Sequence, residues 1–212
     1  MGNPLGDSIS GLRSLLTAPA QTRELPLFPL NSVLFPGGRL RLKVFEARYL
    51  DLMATCLRED VPFGVCLIKQ GSEVGAAAIP ELVGTRARIA SADMDAPGLM
   101  HVVAVGEGRF VLEDSRLEAD QLRVGRVHDK EDEAAVPLPL HCRGALAFLN
   151  ALALQLPDAG LDEIRDDATW VGFRLAELLP LKLRVRQAML EMNDAVKRLE
   201  ILLEFMRRHG LT

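Results

Sequence analysis

Four histidines, three cysteines and two carboxylate pairs are the residues whose types suit chemistry, and their spacing limits what that chemistry can be. His101, His128, His141 and His209 are scattered along the chain. His141 and Cys142 adjoin at the start of a predicted helix, where neighbouring side chains diverge by about 100° and do not share one metal ion. Cys56, Cys66 and Cys142 include no pair at metal-ligand spacing, and an odd count without a framework suits a reducing compartment. Cys66, inside VPFGVCLI, is expected to be a buried small hydrophobe. Asp93 and Asp95 share one face of a predicted strand, and Asp166 and Asp167 fall early in a predicted helix, where carboxylates favour the dipole. Acid–base work would need either pair in a cleft, so solvated surface is the expectation for both.

No G-x-S-x-G elbow and no H-E-x-x-H zinc motif is present. The dipeptide Gly-Lys occurs nowhere, which excludes a Walker phosphate loop. Gly106-Glu107-Gly108 opens like a dinucleotide fingerprint, but Val111 stands where the third glycine belongs. Both flanks read as strand, so a hairpin turn is predicted there. The residues by themselves support no catalytic group, no metal and no cofactor.

The elements around these residues divide the chain. Of 212 residues, 49% are apolar and 25% charged, ordinary for a globular protein. Net charge is −4 with no basic tract, which makes nucleic acid an unfavoured partner. No apolar run reaches the ~18–20 residues of a membrane span, and no signal peptide is recognisable, so a soluble cytoplasmic protein is expected. Residues 1–22 read as an extension in which Ile9, Leu12, Leu15 and Leu16 line one face of a short helix. Residues 23–129 read as a β-rich unit. There Leu40, Leu42 and Val44 alternate with Arg39, Arg41 and Lys43, and Ala96-Pro97-Gly98 turns one strand into the next. One helix interrupts it, with Tyr49, Leu50, Met53 and Leu57 on a side. Residues 130–136 read as a linker and 137–212 as a helical bundle, its last helix capped by Asn193 and followed by Gly210.

Three prolines, Pro26, Pro29 and Pro36, stand in the apolar run LPLFPLNSVLFPGG. A central strand does not tolerate them, so Pro26 and Pro29 are predicted where β pairing begins and ends at an edge, and Pro36-Gly37-Gly38 as a turn.

Three stretches together resemble a known family. LPLFPLNSVLFPGGRLRLKVFEARY resembles the opening of the Lon protease N-terminal domain, and its Phe-Glu-x-Arg-Tyr ending resembles stand-alone bacterial and cereblon-like members. LVGTRARIA followed by MHVVAVGEGRFVLED, and RDDATWVGFRLAELLPLKLRVRQAMLEMNDAVKRLEILLEFM, resemble later parts of that domain in order. The resemblance runs from Glu24 to about Met206. It implies an α+β fold, a PUA-like β pseudo-barrel followed by a C-terminal helical bundle, without the ATPase and protease domains of Lon. It also implies a non-enzymatic module that recognises unfolded or specific protein partners, in support of a protease acting in trans.

Two alternatives stay open at this point. RNA binding would use Arg39, Arg41, Lys43, Arg86 and Arg88 as a basic strand face. A small-molecule enzyme would draw on Glu46, Arg48, Tyr49 and Arg109, although an ion pair from Glu46 that fixes the helix to the barrel is the preferred role. For partner binding the candidates are Phe35, Glu46, Arg48, Tyr49 and Arg109, with the groove between barrel and helices as the first place to look. Partner identity and oligomeric state are not fixed by the sequence.

Overall fold

The computed structural model describes residues 21–131, 135–155, 161 and 163–211. The predicted helix of the N-terminal extension and the centre of the linker lie outside these residues. Six strands come first: β1 (Thr22–Leu30), β2 (Arg39–Val44), β3 (Phe63–Gln70), β4 (Ile79–Ala96), β5 (Leu99–Leu117) and β6 (Arg123–Asp129). Helix α1 (Ala47–Glu59) lies between β2 and β3. A 3₁₀ turn at Leu140–Cys142 leads into α2 (Arg143–Gln155), α3 (Ala168–Leu178), α4 (Leu183–Glu191) and α5 (Ala195–Arg208).

The strand order is β2-β5-β4-β3-β1-β6, and β6 pairs again with β5. That second pairing closes five strands into a barrel. One edge of β5 is shared: β2 takes its first part, from Met100 to Val105, and β6 takes Phe110 to Leu117. All pairings are antiparallel except β1 with β3. The fold is an α+β pseudo-barrel followed by helices.

β1 explains its own prolines. It pairs with β6 from Thr22 to Leu27 and with β3 from Leu27 to Leu30. Pro26 therefore lies where only β6 is a neighbour, and Pro29 where only β3 is. Each proline falls in a stretch with one neighbour strand, where the unpaired side leaves room for a residue without an N–H. Gly37, at φ +72°, turns the chain after Pro36, and Gly38 N–H closes the turn on Phe35 O at 2.9 Å.

The hairpin turn predicted at Gly106-Glu107-Gly108 is absent, because β5 runs unbroken through it. Gly106 serves a close approach instead. It exchanges backbone hydrogen bonds with Gly37 and Gly38, and a Cβ there would stand 2.3 Å from Phe35 O. The turn of the β4–β5 hairpin is at Ala96-Pro97-Gly98, with Ala96 opposite Leu99 and Gly98 at φ +81°.

Two helix starts shift from expectation. Asp167 is the N-cap of α3 and accepts from Trp170 N–H, rather than standing in the first turn. Asp194, not Asn193, caps α5, accepting from Lys197 N–H. In α1 the buried face is Tyr49, Leu52, Met53 and Cys56, whereas Leu57 is exposed. The spacing 49, 52, 53, 56 follows the 3.6-residue period more closely than 49, 53, 57.

Three cores result. Leu25, Leu27, Cys66, Phe110, Leu112 and Val127 fill the barrel. Phe28, Val44, Tyr49, Met53, Phe63 and Val102 pack between the sheet and α1. The helices share the third with Val33, Phe35 and Leu67 from the strand-rich part, which joins the two regions through apolar contact.

Candidate functional site

The five candidates fall into two groups. Phe35 and Arg109 lie at the junction of barrel and helices, and both are buried. The Phe35 ring packs on Phe173 of α3 with centroids 5.7 Å apart. Arg109 projects from β5 and is 2% exposed. Its Nη1 donates to Leu190 O (2.8 Å) and Met192 O (2.9 Å), and its Nη2 to Glu131 O (3.0 Å). The guanidinium also lies 5.6 Å from the Phe173 ring centroid, while Arg198 covers the same ring at 4.0 Å. Arg174 donates to Pro36 O at 2.8 Å and pairs with Glu177 at 2.5 Å. Burial disfavours the charged form of both partners, lowering Arg174 and raising Glu177. Arg109 thus ties β5 to carbonyls of the helical region, and Arg174 ties α3 to a carbonyl of the strand-rich region. A cavity of about 330 Å³ at this junction is bordered by Gly37, Arg109, Trp170 and Phe173, but Arg109 is covered and paired.

Glu46, Arg48 and Tyr49 are neighbours at the start of α1. Glu46 is the N-cap, and its Oε2 accepts from Arg48 Nη2 at 2.8 Å. Arg48 Nη2 donates as well to Gly75 O (2.8 Å) and Nη1 to Gln121 O (3.3 Å). Arg48 thereby pins α1 to the β3–β4 and β5–β6 connections. It also lies 4.7 Å from the Tyr49 ring centroid. The Tyr49 ring packs against Phe28 at 4.1 Å, and burial pushes its hydroxyl pKa up against the opposing pull of Arg48.

Beside this cluster a groove of about 300 Å³ opens between β2 and the end of β1. Its floor includes Phe28, Leu30, Leu42 and Tyr49, and Glu46 lies at its margin. Phe45 is 53% exposed and Val74 57%, so two large apolar side chains border the groove in solvent. Sequence reasoning missed both. Phe45 follows the Leu40-Leu42-Val44 alternation directly, so its odd phase was the available signal; Val74, in a loop, gave none.

Chemistry beyond binding finds no support here. Among the described residues no group of three or more His, Cys, Asp or Glu can hold a metal ion. The three thiols are free and buried, with Cys66 pushed up to about 12 and Cys56 to about 11 by burial. On the strand face considered for RNA, Arg88 pairs with Glu107 (2.6 Å) and Asp60 (3.0 Å), and Arg86 pairs with Asp129. Carboxylates therefore neutralise the β4 part of that face. No helix among the described residues is long and apolar enough to cross a membrane.

Comparison with known proteins agrees with this architecture. A crystal structure of a Lon N-terminal domain protein from Xanthomonas campestris is 38% identical, with a TM-score of 0.71 over 86% of this chain and 98% of that one. The N-terminal domain of a Mycobacterium avium complex Lon protease, at 16% identity and a TM-score of 0.59, shares the fold. Lon protease 2 of Myxococcus xanthus is 32% identical over 196 residues, and Lon protease of Anaeromyxobacter dehalogenans (strain 2CP-C) 28% over 197. Both matches take in 87% of this chain, which spans only 23% of the length of either protease. The family model for the ATP-dependent protease La (LON) substrate-binding domain matches residues 24–208, and the chain belongs to that family.

Proposed function

We propose that this protein binds segments of non-native polypeptide in the groove between β2 and β1, and does so without catalysis. The observation that carries the reading is the apolar groove itself, floored by Phe28 and Tyr49 and flanked by exposed Phe45 and Val74. Exposed apolar surface of this kind marks an interaction site more than a core defect. Glu46, Arg48 and Tyr49 serve this groove by holding its wall in place, while Arg109 and Phe35 hold the barrel (23–129) to the helical part (137–212) across the 130–136 connection. The bound segment is passed to a protease acting in trans in the cytoplasm, a setting that suits three free thiols.

The test is equilibrium binding of a fluorescently labelled, permanently unfolded model protein. Binding is expected for the native chain, with a loss of about tenfold, roughly 1.4 kcal/mol, on Phe45→Asp. Phe45 is exposed, so this change leaves the fold intact. Absence of binding by the native chain, or full binding by Phe45→Asp, would overturn the reading.

A further inference from the structure

Resting on that groove reading, we propose that the ligand binds as an added strand: an extended stretch of another polypeptide, alternating apolar and acidic residues, pairs along β2. β2 stands at the end of the sheet order and, among the described strands, pairs with β5 alone. Across the groove, β1 has parted from β6 at Leu27, so Phe28 and Leu30 face β2 with no described strand between them. Leu40 through Glu46 all line the cavity, so it runs along β2 rather than across it. An edge strand turns the N–H and C=O of alternate residues away from its neighbour, and an extended chain satisfies them where a helix does not.

The side chains of β2 then define the ligand. Leu42 and Val44 are buried in the core, whereas Arg41 and Lys43 are exposed on the opposite face. A strand added to β2 inherits this alternation, because side chains of a sheet keep to their face. Its inward residues meet Phe28, Leu42 and Tyr49 and must be apolar. Its outward residues lie across from Arg41 and Lys43, where carboxylates are favourable neighbours and cations are not.

The carboxylates of the groove do not oppose this. Glu46 is held by Arg48, and Glu73 accepts the Asn31 N–H. The charges of β2 also select against a second copy of this chain: β2 against β2 would set Arg41 and Lys43 among like charges, the usual protection of an edge strand.

The probe is a labelled eight-residue peptide alternating Val or Leu with Glu. Its comparators are an isomer with the four Glu in one block and an alternating peptide with Lys in place of Glu. Anisotropy and amide hydrogen exchange are read on the full chain. The alternating acidic peptide is expected to bind at least about tenfold more tightly than either comparator, and to slow exchange within Leu40–Val44. Lys43→Glu, a change at an exposed position, should shift preference toward the Lys peptide, and Phe45→Asp should weaken both.

Equal affinity for the two isomers, or protection confined to α2–α5, overturns strand addition. β2 amides already slow without peptide at every concentration mean an occupant from the chain itself, and slowing that grows with protein concentration means a second copy. Either result overturns it too. If the unfolded model protein binds while the peptide fails, strand addition falls and the groove reading stands; if neither binds, both fall.

Discussion

Arg109 illustrates what a single residue does in this fold. Its guanidinium donates to carbonyls at Glu131, Leu190 and Met192. Met192 O also accepts from Arg198 Nη1, so the loss of Arg109 removes this donor from Leu190 O at a buried junction and leaves Met192 O to Arg198 alone. Arg109→Ala is expected to cost about 3 kcal/mol or more in chemical denaturation, and Arg109→Lys to recover only part, since an ammonium cannot reach in a fork. Nothing in the sequence announced this: the accepting carbonyls lie 22, 81 and 83 residues away and are backbone, which carries no residue signature. The thiols were easier to read, because VPFGVCLI is apolar throughout. Cys66 and Cys56, raised to about 12 and 11, should resist a thiol reagent at pH 8 in the native state and react once the chain is unfolded. The native state holds these thiol protons more tightly than the unfolded chain, whose thiols ionise near ~8.5. Stability therefore falls as pH rises above that value, by up to about 1.4 kcal/mol per pH unit for each group. Cys66→Ala should flatten the alkaline limb, measured as urea midpoint against pH.

Glycines separate the roles of two elements. A Cβ on Gly106 would meet Phe35 O at 2.3 Å, whereas one on Gly144, in α2, meets nothing within 4 Å. Gly106→Ala must push β5 from the Pro36 turn and is expected to destabilise by about 1–3 kcal/mol. Gly144→Ala should stabilise by about 0.5–1 kcal/mol through helix propensity. Both are read from thermal or urea unfolding. Local pattern revealed β2 well, since Leu40, Leu42 and Val44 alternate, and revealed the β4–β5 turn through Pro97-Gly98. It failed at Gly106 because the glycine answers a contact with a turn 70 residues earlier, not its own strand. It also placed the cap of α5 one residue early, at Asn193 instead of Asp194, and read Asp166 and Asp167 as first-turn residues where Asp167 is the cap of α3. In each pair only the one whose carboxylate meets a free N–H becomes the cap.

At the level of the whole molecule, barrel and helices share a core through Phe35 and a set of buried arginines, so they should unfold together. The chain carries its own reporters: one tryptophan, Trp170 in α3, and one tyrosine, Tyr49 in α1 against the barrel. Trp170 fluorescence and Tyr49 near-ultraviolet absorbance are expected to change at the same urea concentration, as two-state behaviour requires. Separate midpoints would mean two units. The α+β order was legible from the switch of period along the chain, but the groove was not, because it is a gap left where β1 and β2, neighbours in sequence, do not pair with each other. β1 has a further consequence, for how the molecule is made. Its partner β6 ends at Asp129, so on a ribosome β1, complete at Leu30, waits for about a hundred residues before the barrel can close. At roughly 5–20 residues per second that interval is about 5–20 s. Throughout it an apolar strand is exposed to other nascent chains. Pro26 and Pro29 cannot donate to an intruding ladder, so the prolines that fit the finished barrel also act as a safeguard during synthesis.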